Sequence, residues 1–204
     1  LSYRTEKAPT SYFNFGEVFN STISNILWDN SLEYTADFGK NDLNVVIGNS
    51  VQREINKNST AEGRNFATDN VTTINTSQDR YSNEQMREWK MLCYFSRVSY
   101  AYDSRYLFMA TLRADGSSKF GKKSKWGVFP SASAAWRISE EDFFAKGLIN
   151  DLKVRASYGV AGNNDIPYYG SMSLLSTNGK YTIGDNVLAG LYPSSSPNEE
   201  LSWE

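Results

Sequence analysis

Residues 105–138, "RYLFMATLRADGSSKFGKKSKWGVFPSASAAWRI", decide how this chain is read. The stretch reads as a strand, a polar basic loop and a second strand. Successive side chains of a strand point to opposite faces, so Tyr106, Phe108 and Leu112 share one face while Thr111, Arg113 and Asp115 share the other. Two solvents explain such a strand. A water-soluble sheet hides its apolar face in a core, whereas a membrane barrel turns that face to lipid and points the polar face into a wet lumen.

The same alternation extends in both directions. Leu32, Tyr34, Ala36 and Phe38 oppose Glu33, Thr35 and Asp37; after the turn "GKND", Leu43, Val45, Ile47 and Val51 align, so residues 31–38 and 43–51 are expected to pair as a hairpin. A second hairpin is expected from Lys90 to Asp115 around the short turn "DSR", with Leu92, Tyr94, Val98, Tyr100 and Tyr102 opposite Cys93, Arg97 and Ser99. A fifth strand, Trp126 to Ile138, carries Val128, Ala132, Ala134 and Trp136 on its apolar face, and Pro130 marks an irregular position in it. A sixth, 151–160, sets Leu152, Val154, Ala156, Tyr158 and Val160 against Lys153, Arg155 and Ser157. Between the fifth and sixth, "SEEDFFAKGLIND" begins with Ser139 and two acids, which predicts a short capped helix.

Residues 55–88 lack sustained periodicity and are expected to form a long polar excursion. Weak strands are expected near 171–175 and 180–183, and "LSWE" reads as the start of another strand. Strands of about 8–13 residues suit the roughly 9–11 that a tilted barrel strand needs to cross a bilayer. Tyr100, Tyr102, Tyr106, Trp126 and Trp136 gather near strand ends, as aromatic girdles do.

Composition narrows the function. The 204 residues carry a net charge of −2 with the two signs interspersed, which gives no electrostatic footprint for nucleic acid. There is no histidine and one cysteine, Cys93, so Cys/His zinc sites, histidine-dependent triads and intrachain disulfides are excluded. No catalytic residue, cofactor or metal is expected. No run of about 18 apolar residues exists, a test that does not see barrel strands. The opening "LSYRTEKAPT" has no initiating Met and no secretory-signal pattern, so the chain is expected to begin inside something longer.

The segments "RVSYAYDSRYLFMATLRADGSSKFG", "WGVFPSASAAWRISEEDFF", "LKVRASYGVAGN" and "PNEELSWE", in this order and spacing, resemble the barrel of the SusC/RagA family of TonB-dependent outer-membrane transporters of Bacteroidetes-type bacteria. The resemblance is strong over 89–164 and weaker over 31–54 and 197–204. It implies an all-β, antiparallel up-and-down meander, part of a large transmembrane barrel of about 22 strands, with long extracellular loops and one short periplasmic-side helix. It implies that residues 1–204 are a partial barrel domain of about six strands, with plug, TonB-contact segment and signal peptide outside them. The parent would sit in the bacterial outer membrane, surrounded by lipid, and import oligosaccharides or peptides with a SusD-like surface lipoprotein and energy from TonB.

Candidate residues follow the polar face. Arg97, Arg113, Asp115, Arg137 and Arg155 are expected to face the lumen as a substrate path, together with Glu33, Asp37 and Lys153, or to pair across strands or contact the plug. Tyr168, Tyr169, Tyr181 and Tyr192 are expected in loops, stacking on sugar rings, packing against the capping lipoprotein or packing within the loops. "RADGSSKFG" lacks the spacing of a phosphate-cradling loop, and Glu140 and Glu141 read as helix-start charges. "NST" at 58–60 and "NVT" at 70–72 read as loop markers. The rival architecture is a soluble β-sandwich module binding carbohydrate, in which the apolar faces would meet between two sheets.

Overall fold

The computed structural model describes residues 2–4, 14–68, 70–71, 73–145, 147, 149–184, 186–198 and 200–204. It is all-β. Seven strands, β1 (Ser2–Arg4), β2 (Phe15–Phe38), β3 (Asn41–Phe66), β4 (Ser77–Tyr102), β5 (Tyr106–Ser117), β6 (Trp126–Arg137) and β7 (Lys153–Gly159), form one sheet in strict sequence order. β8 (Leu175–Ile183) and β9 (Asn186–Pro193) form a separate antiparallel hairpin. The sheet is an open meander whose first and last strands do not meet, so no barrel closes within these residues.

Contacts divide the chain into two compact units, Leu1–Ile26 with Arg53–Glu88 and Leu27–Gln52 with Trp89–Glu204. In the first, the expected excursion 55–88 is instead strand: β3 continues to Phe66 and β4 begins at Ser77. Backbone ladders need no apolar face where both faces meet water, and ion pairs take its place. Arg53 pairs with Glu88 at 2.8 Å and Lys57 with Glu84 at 3.0 Å. The amide of Asn14 closes this unit, donating to the Phe66 carbonyl at 3.0 Å and accepting from its N–H at 2.6 Å. The 58–60 sequon therefore lies in β3 and not in a loop; Thr72 of the second lies outside the described residues.

In the second unit the expected strands are present and the register joins their faces. Tyr100 lies opposite Phe108, Phe108 opposite Ala134 and Ala134 opposite Ala156; three residues on, and so on the other face, Arg97 lies opposite Thr111, Thr111 opposite Ser131 and Ser131 opposite Gly159. The face that carries Tyr100 also carries Tyr94, Val98, Leu112, Val128, Trp136, Val154 and Tyr158, all of them exposed. Buried apolar residues number just three among the described residues, Phe66, Cys93 and Phe120. A sandwich hides its large apolar side chains between sheets; here they cover one face of a single sheet, which removes the sandwich reading.

The helix expected from Ser139 is absent among the described residues. A 3₁₀ turn, Ile138–Glu140, takes its place, and Lys146 and Leu148 lie outside the described set. Ser139 is buried and caps nothing; its hydroxyl donates to Asp151 at 3.0 Å and its N–H to the Leu152 carbonyl at 3.1 Å. The connection 138–152 is long, whereas the other two at this end of the meander, 39–40 and 103–105, are tight turns. The expected strand 180–183 is the end of β8, the one expected near 171–175 is absent but for Leu175, where β8 begins, β9 was not foreseen, and "LSWE" is not strand. No helix is long and apolar enough to cross a membrane, which says nothing of barrel strands.

Candidate functional site

The polar face of the second unit is built by β2 to β7 and gathers part of the expected path. Arg97, Arg113 and Asp115 share it with Thr111 and Ser131. Arg113 and Asp115 are committed to each other, since the guanidinium Nε donates to both carboxylate oxygens at 2.9 and 2.7 Å. Asp115 is buried beside Cys93, its cross-strand partner, so this pair fixes the wall before it meets any solute. Arg97 is exposed and has no ion pair among the described residues. Arg155 and Lys153 line a hollow of about 380 Å³ with Thr35, Asn44, Ser99 and Ser133. Asn44 is held there by Glu33 and Thr35, its amide donating at 2.6 and 3.0 Å. Arg137 stands apart from this group, donating to the Ser104 carbonyl at 3.4 Å and pairing with Glu140 at 3.7 Å at the tight-turn end.

A second hollow of about 410 Å³ opens at the other end of the same face, lined by Arg113, Asp115, Phe129, Gly162, Asn164 and Trp203 among others. Trp203 packs on Phe120 and Phe129 with ring centroids 4.8 and 5.3 Å away, and donates its indole N–H to the Lys125 carbonyl at 3.3 Å. These aromatics were not singled out in the sequence, because their meeting joins residues about eighty positions apart. The Lys119 ammonium lies 5.3 Å from the Trp89 ring centre and 5.5 Å from that of Tyr168, a cation over two aromatic faces. Tyr168 and Tyr169 are neighbours, with centroids 6.5 Å apart.

Tyr181 and Tyr192 lie in β8 and β9 and not in loops. Their arrangement depends on a glycine pair: Gly179 and Gly190 face each other across the hairpin, and a Cβ on Gly190 would come within 2.7 Å of the Tyr181 ring and one on Gly179 within 3.0 Å of Tyr192. The absent side chains let both rings lie over the gap, half-exposed on one face.

The tight-turn end carries a tie that the sequence did not signal. Glu141 accepts hydrogen bonds from the Tyr106 hydroxyl at 2.7 Å, the Trp136 indole N–H at 2.9 Å and Arg105 at 3.1 Å. The bond from Tyr106, then that from Trp136 and the charge of Arg105, holds the Glu141 carboxyl below the ordinary carboxylate range. Far from a helix-start charge, this carboxylate anchors two aromatic rings stacked 6.4 Å apart. At the opposite end of the apolar face Tyr94 and Trp126 stack at 6.1 Å. Trp126 and Trp136 are ten residues apart on β6, about 34 Å along the strand and about 26 Å in height at a tilt near 40°. That spacing matches the roughly 25 Å apolar band of an outer-membrane barrel.

A single sheet with one wet face and one apolar face bounded by aromatics is a segment of barrel wall, and comparison with known proteins agrees. The family model described as "TonB dependent receptor-like, beta-barrel" matches residues 1–204. The chain belongs to this family. It is a family of outer-membrane barrels. The chain is 34% identical over 186 residues to TonB-dependent receptor P3 of Formosa agariphila, covering 89% of this chain and 18% of that protein. It is 30% identical over 186 residues to TonB-dependent receptor SusC of Bacteroides thetaiotaomicron, covering 88% and 18%. The chain thus spans about a fifth of the length of the curated relatives it matches, and these relatives are named as receptors, not enzymes. Its fold matches the structure of the RagAB peptide transporter with a TM-score of 0.81 at 22% identity, over 98% of this chain and 23% of that one, and the RagAB peptide importer in its closed-closed state with a TM-score of 0.83 at 23% identity, over the same shares. Among the described residues no group of three or more metal-ligating side chains is placed to hold an ion.

Proposed function

We propose that residues 1–204 form part of the barrel wall of an outer-membrane TonB-dependent transporter that imports oligosaccharides or peptides into the periplasm with a SusD-like surface lipoprotein. Plug and TonB contact belong to other parts of that protein. The observation that carries the reading is the continuous apolar face between Trp126 and Trp136, backed by a continuous polar face, in a chain matched throughout by the barrel family. Lipid wets the first face and the lumen the second. The cargo range follows the resemblance to the SusC/RagA family, and the fold is shared with a solved structure described as a peptide transporter.

In this reading Arg97 and Arg155 are the wall cations free to meet an incoming solute, while Arg113, Asp115 and Arg137 hold the wall. Tyr168, Tyr169, Tyr181 and Tyr192 offer aromatic faces at the outer mouth, suited to sugar rings, peptide side chains or the capping lipoprotein. The plug would rearrange under TonB pulling and let the bound nutrient pass. The test is deletion of the gene encoding the whole protein, followed by uptake of defined oligosaccharides and peptides, with isolation of the tagged transporter from outer membranes. Loss of uptake of one nutrient class, together with co-purification of a surface lipoprotein, is expected. Unchanged uptake of every tested class and recovery in another membrane fraction would overturn the reading.

A further inference from the structure

The connection after β6 presents a large, mostly exposed aromatic ring. Phe143 is 70% exposed, nearly twice the exposure of the girdle residues Trp136 at 38% and Tyr106 at 37%. Its position is nevertheless set. The Phe143 ring meets Trp136 edge-on, with centroids 6.5 Å apart and planes at 64°. Trp136 lies opposite Tyr106 and Val154 on the apolar face, and the sheet itself separates this face from the one carrying Arg155. Phe143 therefore lies on the side away from the lumen, where a plug cannot reach it. The backbone is turned to allow this, the Phe144 N–H donating to the Glu141 carbonyl at 3.0 Å. The neighbouring Asp142 points elsewhere, its side chain 95% exposed and paired with Arg105 at 3.3 Å. Further along, Ile149 is also exposed.

We propose that residues 138–145 form an interfacial foot: Phe143 extends the lipid-facing belt past the end of β6 and sits at the headgroup–acyl boundary of the periplasmic leaflet, with Asp142 and Arg105 in the headgroup layer. The occupant of the surface is phospholipid, argued from continuity with the belt formed by Tyr106 and Trp136. An aromatic ring beside an acid–base pair has the two-sided character that suits this boundary, apolar below and charged above. Glu141 is the positioning residue, because its three bonds fix the chain where it leaves the barrel wall. The inference rests on the outer-membrane reading and on short turns marking the periplasmic end.

The experiment uses the whole transporter reconstituted in phospholipid vesicles, with an NBD fluorophore on a cysteine introduced by Phe143→Cys, Tyr158→Cys or Ser157→Cys in a background free of other reactive thiols. Heat-modifiable migration on gels checks that each variant is folded. Lipids carrying a nitroxide near the headgroup or deep in the acyl chain serve as quenchers. Position 158 is expected to lose emission with the deep quencher, position 143 mainly with the shallow one, and position 157 with neither. If 158 is quenched while 143 behaves like 157, the foot is wrong and the lipid-facing barrel stands. If 158 is unquenched, the membrane reading falls and takes the foot with it.

Discussion

Trp136 donates its indole N–H to Glu141 at 2.9 Å, so a ring of the apolar face is tied to a carboxylate that lies outside the strands. The same oxygen accepts from Tyr106, and a side chain otherwise read as surface charge becomes the clamp of the girdle.

The clamp has a pH dependence whose sign is fixed. The folded protein binds the ionised carboxylate and lowers its pKa, so the stabilisation is complete above the ordinary carboxylate value and is lost as pH falls through the lower folded value. Glu141→Gln in the whole transporter is expected to unfold at lower temperature than the parent at neutral pH, with the gap closing on acidification. Thermal unfolding in detergent across that range checks this; a gap that widens towards acid would contradict it.

Two arginines on one face are expected to answer differently. Arg113→Ala strands the buried Asp115 carboxylate without its partner and should cost about 1–3 kcal/mol. Arg97→Ala removes an exposed side chain and should stay within about 0.5 kcal/mol. Denaturant titration of the two variants separates them, and uptake assays on the stable Arg97→Ala protein then report on the solute path alone.

Gly48 gives a packing test. A Cβ there would lie 2.5 Å from the carbonyl oxygen of Asn30 on β2 and 2.5 Å from the Phe95 ring on β4. Gly48→Ala must displace a ladder carbonyl as well as the ring, and about 1–3 kcal/mol of destabilisation is expected. Equal stability of parent and variant in denaturant would show that β2 and β4 yield more readily than this geometry allows.

Strands β5 and β6 were legible because one face is apolar and the other polar, so Phe108 and Thr111 differ in kind as well as in position. The outer halves of β3 and β4 were not. With Arg53, Lys57, Glu84 and Glu88 facing water and one another, period two leaves no hydrophobic trace, and ion pairing across strands is invisible along one of them. On the polar face, residue type located Arg97, Arg113 and Asp115, but which arginine is paired depends on Asp115 being buried beside Cys93. Glu141 was misread for a related reason: its partners Tyr106 and Arg105 lie about thirty-five residues away and come near through the sheet register. The β8–β9 hairpin was missed because its alternation is broken by a bulge between Ser176 and Gly179 and by Gly179 and Gly190, which carry no side chain to mark a face.

The central claim is that the face of Phe108 meets lipid and that of Thr111 meets the lumen. Ala110 lies opposite Ala132 and Thr111 opposite Ser131 near the middle of β5. The most direct measurement compares the folding free energies in lipid of the whole transporter bearing Ala110→Arg or Thr111→Arg, the same side chain added at adjacent positions. Ala110→Arg is expected to cost about 2–4 kcal/mol, the range for a cation near the bilayer midplane, and Thr111→Arg much less. Equal costs, or a larger cost at Thr111, would contradict the assignment of faces.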